Sequence, residues 1–206
     1  MRASNPAGAT EQRRSRAESK EFTRQALLKA GLLELVEHGL DTPSLDAICA
    51  RAGFTRGAFY VHFKDRDDFL VAVTDWTLST IVDLMVGAGE DTDLESAVGR
   101  FTALLSKRDW PIVGHLSIAT HRVFESIARS EKLKQRFTEI FDDASDRVGV
   151  LVKRAQEAGT VRRDLDPRQT AQLLLALGLG AKSLEDTGVQ VGSAALRSGI
   201  LGLLKP

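Results

Sequence analysis

Two helical segments too short to stand alone in water follow each other between residues 44 and 63, and their joint constrains the fold more than any other feature of the chain. Nucleating a helix costs more than one or two turns return, so such segments form only when packed on something. The first, residues 45–52, carries Leu45, Ile48, Cys49 and Ala52 on one face. Pro43 biases Thr42 away from helical angles, Ser44 is placed to cap, and Asp46 in the first turn complements the helix dipole. The joint, Gly53-Phe54, needs a residue that tolerates positive φ, which Gly53 supplies. In the second segment, residues 55–63, a helical wheel puts Thr55, Phe59 and Phe63 on one side, able to bury against Leu45, Ile48 and the preceding helix. Gly57, Ala58 and Val61 lie opposite, with Tyr60 and His62 on the flanks and Arg56 at the N-terminal end.

That outline is a helix-turn-helix. Its outer face is small in the middle and polar at its edges. Small residues allow close approach to base edges in a major groove, and a flanking hydroxyl or imidazole can donate to phosphates. The pattern alone leaves a second reading open: a small helical hairpin inside an ordinary bundle, with Tyr60 and His62 merely exposed.

The rest of the chain reads as helix throughout. Ser15 and Glu18 have capping-box spacing ahead of a helix to about His38, ended by Gly39. Phe22, Ala26, Ala30 and Leu33 make one apolar face of it, and Leu28, Leu32 and Leu35 a second stripe. Asp65 caps a long helix over 66–86, with Phe69, Leu70, Val73, Trp76 and Leu84 as packing residues. After a turn-rich break, helices are expected at about 94–107, 111–129, 131–158, 167–186 and 193–204, with Asp166-Pro167 as a cap and first-turn pair. No segment shows sustained β alternation. The expectation is an all-α protein of about nine helices: an arm at 1–16, a three-helix helix-turn-helix domain at 17–64, and a helical body at 65–206. The arm is polar, and Arg13, Arg14 and Arg16 there could follow a minor groove or simply be solvated.

Charge supports this division only weakly. Residues 1–66 hold 11 Lys+Arg against 8 Asp+Glu, and residues 67–206 hold 17 against 20, so a mildly basic head sits on an acidic body. A single cysteine, Cys49, excludes an internal disulfide and any cysteine-rich metal cluster. The N-terminus lacks a charged-then-apolar leader, which points to the cytoplasm. The longest uninterrupted apolar run, Leu173 to Ala181, is about half of the ~20 residues a membrane span requires, so no membrane partner is expected.

Residues 19–72 resemble the N-terminal domain of the tetracycline-repressor (TetR) family. The resemblance rests on the first helix ending in Glu37-His38-Gly39, followed by "SLDAICARAGFTRGAFYVHFKDRDDFL", with Ala52-Gly53, Gly57, Tyr60, Phe63 and the charges before Phe69-Leu70 in the family's order. "EAGTVRRDLDP" is similar to a turn common before the family's eighth helix. The resemblance implies that Ser44 and Thr55 cap helices and touch phosphates. It implies that Arg56, Gly57, Ala58 and Val61 face bases, and that Tyr60, His62 and Arg66 hold phosphates. Family members usually have lysine where Arg66 stands, and alanine is common where Cys49 stands.

For the body, the resemblance implies a small-molecule site between helices and dimerisation through the last two helices. Residues 167–186 are apolar nearly all round, and such a helix must be covered. Interface candidates there are Leu173, Leu174, Leu175, Leu177, Gly178 and Ala181, joined by Leu196, Ile200 and Leu203 from the last helix. A two-fold dimer would place two heads to match a palindromic operator. Pocket candidates are Phe101, Leu105, Trp110 and His115, with His121, Phe124, Phe137 and Phe141. Taken singly, residues at such spacing are more often core than ligand cage, and the pocket is expected of the region as a whole. Their character suggests a hydrophobic or aromatic effector. His115 and His121 are six apart and share no helix face, so no metal is expected, and Asp142, Asp143 and Asp146 read as a solvated face.

The function expected is a ligand-responsive, homodimeric DNA-binding transcriptional regulator, most simply a repressor, with a double-stranded operator and a small molecule as partners. No cofactor is expected. A phosphate loop, zinc spacing and nucleophile elbow are all lacking, which argues against an enzyme. The rival reading is an all-helical small-molecule-binding or interaction protein that does not touch DNA.

Overall fold

The computed structural model describes residues 15–38, 44–87, 92–106 and 119–206. Residues 1–14 of the expected arm, the Gly39 stop, the Thr42-Pro43 pair, and Trp110, Pro111 and His115 lie outside the described residues, while Arg16, expected in the arm, opens the first helix behind the Ser15 cap. Among the described residues there are nine helices and no strand. They are α1 (Arg16–His38), α2 (Leu45–Ala52), α3 (Arg56–His62), α4 (Arg66–Val86), α5 (Leu94–Ser106), α6 (Thr120–Arg129), α7 (Glu131–Glu157), α8 (Pro167–Asp186) and α9 (Ser193–Leu204).

Local chemistry sets the helix ends. Ser15 and Glu18 form a reciprocal capping box: the Ser15 N–H donates to Glu18 Oε2 at 2.7 Å and the Glu18 N–H to Ser15 Oγ at 3.2 Å. Ser44, Thr55, Asp65 and Asp166 each accept from a backbone N–H three residues on. Gly53 takes φ 74° after α2, so that its N–H reaches the Ala50 carbonyl and the Phe54 N–H the Cys49 carbonyl. This turn aims α3 back across α1.

Two clusters of buried side chains result. The head cluster joins Leu27, Leu28, Leu32 and Leu35 of α1, Ile48 and Cys49 of α2, Phe59 and Phe63, and Phe69 and Val73 of α4. The body cluster takes Val82 and Val86 from the far end of α4, then residues of α5, α7, α8 and α9. The second α1 stripe and its neighbours are therefore the buried ones. Phe22, expected on a packing face, is exposed, as is Leu84 of α4. At Gly31 a Cβ would stand 2.2 Å from Phe69 Cζ, so only glycine admits that ring.

α4 corrects one expectation. It is 21 residues long, with mean hydropathy 1.6 in its best window, and by length and composition it could cross a membrane. Asp75 and Asp83, with Thr74, Thr77, Ser79 and Thr80, break the run, so no uninterrupted stretch betrays it. The hydroxyls of Thr77 and Thr80 donate to the carbonyls of Val73 and Trp76, at 2.7 and 2.6 Å. Here α4 contributes side chains to both clusters.

Ion pairs tie neighbouring helices. Arg51 of α2 donates to Glu34 at 2.5 Å and to Glu37 of α1 at 3.0 Å. Arg136 and Arg147 of α7 reach Asp75 and Asp83 of α4. Asp142 and Asp146 remain largely exposed, as expected of a solvated face, and also pair with Arg168 of α8 at 2.7 and 2.8 Å. The buried Gln156 donates to the carbonyls of Arg162 and Leu165, pinning the turn before α8.

Candidate functional site

α3 has two unlike faces. Inward, Phe59 is fully buried and meets Phe63 and Phe69 with ring centroids 5.2 and 5.1 Å away. Phe63 and Phe69 meet edge to face at 4.9 Å. Outward, Gly57 is exposed, Ala58 is half-buried, and Tyr60 and Val61 are 54% and 64% exposed. The Tyr60 ring stands edge-on to Phe59, which holds its hydroxyl end away from the core. The phenylalanines thus anchor the helix and leave a shallow face to solvent.

At the edges of this face, Ser44 and Thr55 are exposed and act as caps. Arg66 is half-buried at the start of α4. His62 is half-buried, and burial pushes its imidazole below the ordinary value, helped by the charges of Lys20 and Arg24 on α1. It is neutral near pH 7, with one N–H to donate. Arg24 also lies over the Phe63 ring, 5.7 Å from its centroid. Periodicity did not single out Lys20 or Arg24, because their neighbourhood depends on how α1 crosses α3. Arg56 also brings something sequence did not show: Asp46 of α2 grips its guanidinium through Nε at 2.5 Å and Nη2 at 2.6 Å. Cys49 is buried, and burial pushes its thiol up, so it packs as a small apolar group.

Glu34, Glu37 and His38 bring three ligand-type atoms within 4.8 Å of one another. Arg51 donates to both carboxylates and supplies the positive charge beside them.

The second feature is a cavity of about 260 Å³ walled by α4 to α8, with two leucines of α1 at its head end. Phe101, Phe124, Phe137 and Phe141, four of the pocket candidates, line it. His121 does not: it is exposed on the outer side of α6. The Leu105 side chain, Trp110 and His115 lie outside the described residues. The largest share of the lining that sequence missed comes from α4, including Thr77, Leu78, Ile81 and Met85. The only hint of it is that α4 is more apolar than one packing face requires. Lys182 reaches the cavity from α8 and pairs with Asp186 four residues on. Asp186 also accepts from the Thr120 N–H and hydroxyl, both at 2.6 Å. Burial pushes the Asp186 carboxyl up, and the bonds from Lys182 and Thr120 outweigh that and hold it below its usual value.

The nine interface candidates divide. Leu173 and Leu203 are 71% and 74% exposed, and Leu177 is exposed too, along with Leu184. Ala181 and Ile200 are buried within the chain, and Leu174, Leu175 and Leu196 pack on the body cluster. Leu175 also lines the cavity. Gly178 is not open for a second helix: a Cβ there would lie 1.7 Å from Phe101 Cζ of the same chain. The four on α8 point inward because α8 packs on α5, α6 and α7, and Leu196 and Ile200 do so because α9 packs on α5, a detail that nearly uniform apolarity conceals.

Comparison with known proteins reaches both regions. Residues 27–73 match the family described as bacterial regulatory proteins, tetR family, and residues 118–186 match the tetracyclin repressor-like C-terminal domain. The HTH-type transcriptional repressor DhaR of Mycobacterium sp. (strain GP1) is 26% identical over 77% of this chain and 79% of its own length. The HTH-type transcriptional regulator AcrR of Shigella flexneri is 38% identical over 72 residues, 35% of this chain and 33% of AcrR. The reduced form of E. coli NemR superimposes with a TM-score of 0.74 at 17% identity, covering 89% of this chain and 98% of NemR, which is a likeness of fold. Head and body point the same way: the chain belongs to the TetR family of helix-turn-helix transcriptional regulators.

Proposed function

We propose that this regulator is a cytoplasmic homodimeric repressor that occupies a palindromic operator and leaves it when a small hydrophobic or aromatic effector enters the body cavity. One observation carries the reading: α4 serves both sites. Its first turns hold Phe69 and Val73 in the head cluster, against the rings that anchor α3. Its later turns, at Thr77, Leu78, Ile81 and Met85, wall the cavity. A ligand that presses on that wall moves the helix on which the head is seated. Coupling requires only that the ligand prefer one spacing of the two heads.

On this reading Gly57, Ala58 and Val61 lie along base edges with Arg56, while Tyr60, His62, Arg66, Ser44 and Thr55 meet phosphates. The exposed leucines Leu173, Leu177 and Leu203 meet their counterparts across the two-fold axis.

Selection of bound duplexes from a random pool should return two inverted half-sites, and affinity should fall steeply with salt as counterions are released. A flat salt response or an unpaired motif would reject it. Leu177→Glu should give monomers by light scattering, with the helical content of the wild type and weak operator binding. An intact dimer would remove α8 from the interface.

A further inference from the structure

We propose that Asp46 is a positioning residue for sequence readout, orienting the one base-facing side chain on α3 that can donate hydrogen bonds. The inference rests on the reading that the outer face of α3 meets DNA. Of the residues assigned to bases, Gly57 has no side chain, and Ala58 and Val61 carry only hydrocarbon. Hydrogen-bonded discrimination therefore falls to Arg56. An arginine side chain has many rotamers and loses that freedom on binding unless it is already held. Asp46 holds it. Its two oxygens take Nε and one Nη2 proton of Arg56, at 2.5 and 2.6 Å. A guanidinium has five donors in a fixed fork. The pair uses one edge and leaves Nη1 and the second Nη2 proton, the parallel pair whose spacing fits O6 and N7 of guanine.

The clamp has little other purpose. Both side chains are well exposed, and an exposed ion pair contributes little stability. Asp46 also puts a negative charge in the first turn of α2, beside the capping Ser44 that is assigned to a phosphate. That charge offsets Arg56 and disfavours phosphate contact in general. It thus weakens binding to any sequence while sharpening the choice among sequences.

The test uses the full-length protein, with a duplex selected from a random pool and every single base-pair variant of one half-site. Arg56→Ala should flatten the preference at one G·C position. Asp46→Ala should flatten the same position, from about tenfold or more to under threefold, while random-DNA affinity rises and its salt slope steepens. Asp46→Asn, whose amide oxygen can still accept one bond, should restore part of the preference without the charge. Melting temperatures should stay within a few degrees of wild type throughout, the small loss in the Asp46 variants being that of a charge at the helix start. An unchanged base profile in Asp46→Ala overturns the proposal, as does an equal loss on every sequence. If Arg56→Ala itself leaves profile and salt slope untouched, α3 is not the reading element, and the underlying reading fails instead.

Discussion

Each region of the molecule holds a trio of phenylalanines, and the two trios behave differently. In the head, Phe59, Phe63 and Phe69 are all buried, with centroids 4.9 to 5.2 Å apart. In the body, Phe124, Phe137 and Phe141 are spaced at 5.9 and 6.4 Å and line a cavity. The neighbours explain the contrast. Leu27, Leu28 and Ile48, all buried, share a cluster with the head rings, and none of the three rings lines the cavity. Around the body rings stand Thr77, Ser126 and Gly178, which are too small to fill the gap between five helices. One region is built to hold a shape and the other to accept one.

Truncation is the strongest way to break this contrast. Phe59→Ala deletes a fully buried ring, and should cost about 3–5 kcal/mol. Thermal unfolding followed by circular dichroism should show an early loss of the head, and operator binding should disappear. Phe124→Ala removes a partly exposed ring from the cavity wall, and should cost about 1 kcal/mol or less. Equal losses would mean that the cavity is closed in solution and the two trios are alike.

A single methyl group provides a finer comparison. At Gly31 the added Cβ would meet Phe69, which is fully buried and cannot retreat. Gly31→Ala should destabilise by about 1–3 kcal/mol through overpacking. At Gly178 the clash with Phe101 is closer still, 1.7 Å, but that ring borders the cavity and can swing into it. Gly178→Ala should therefore leave the melting temperature nearly unchanged and reduce uptake of an environment-sensitive naphthalene dye. A large drop in melting temperature for Gly178→Ala would show that the cavity cannot absorb the ring.

The same contrast separates what the sequence disclosed from what it concealed. Capping residues and glycines act locally, so Ser15-Glu18, Ser44, Gly53, Asp65 and Asp166 marked helix ends that the structure reproduces. The two faces of α3 were legible because Phe59 and Phe63 are four apart while glycine, alanine and valine lie opposite. Long-range geometry was not legible. The Asp46–Arg56 grip depends on how α2 crosses α3, and sequence carries no sign of it. Leu175 and Leu177 are two apart on the same apolar helix, yet one lines the cavity and the other faces solvent. Uniform apolarity hides direction. The same holds for α4, whose threonines conceal its length as an apolar helix by turning their hydroxyls onto its own backbone.

His62 offers the smallest effect, and one whose sign distinguishes packing from DNA contact. Burial, then Lys20 and Arg24, push its imidazole below the ordinary value of 6.5, with Glu21 opposing. In the unfolded chain the ring takes its proton near 6.5, so at slightly acid pH the unfolded state binds more protons than the folded one. The stability this neutral ring contributes is present above 6.5 and is lost as pH falls through the depressed folded value. One proton limits the slope to about 1.4 kcal/mol per pH unit, and a half-buried ring delivers a fraction of that. A phosphate against His62 acts oppositely, because an adjacent anion favours the imidazolium. Between pH 7 and 5.5, then, the melting temperature of the free protein should drift down while operator affinity rises. His62→Gln should remove both trends together. Should affinity hold steady across that range in wild type and variant alike, His62 is a packing residue of the head and leaves the set of phosphate contacts.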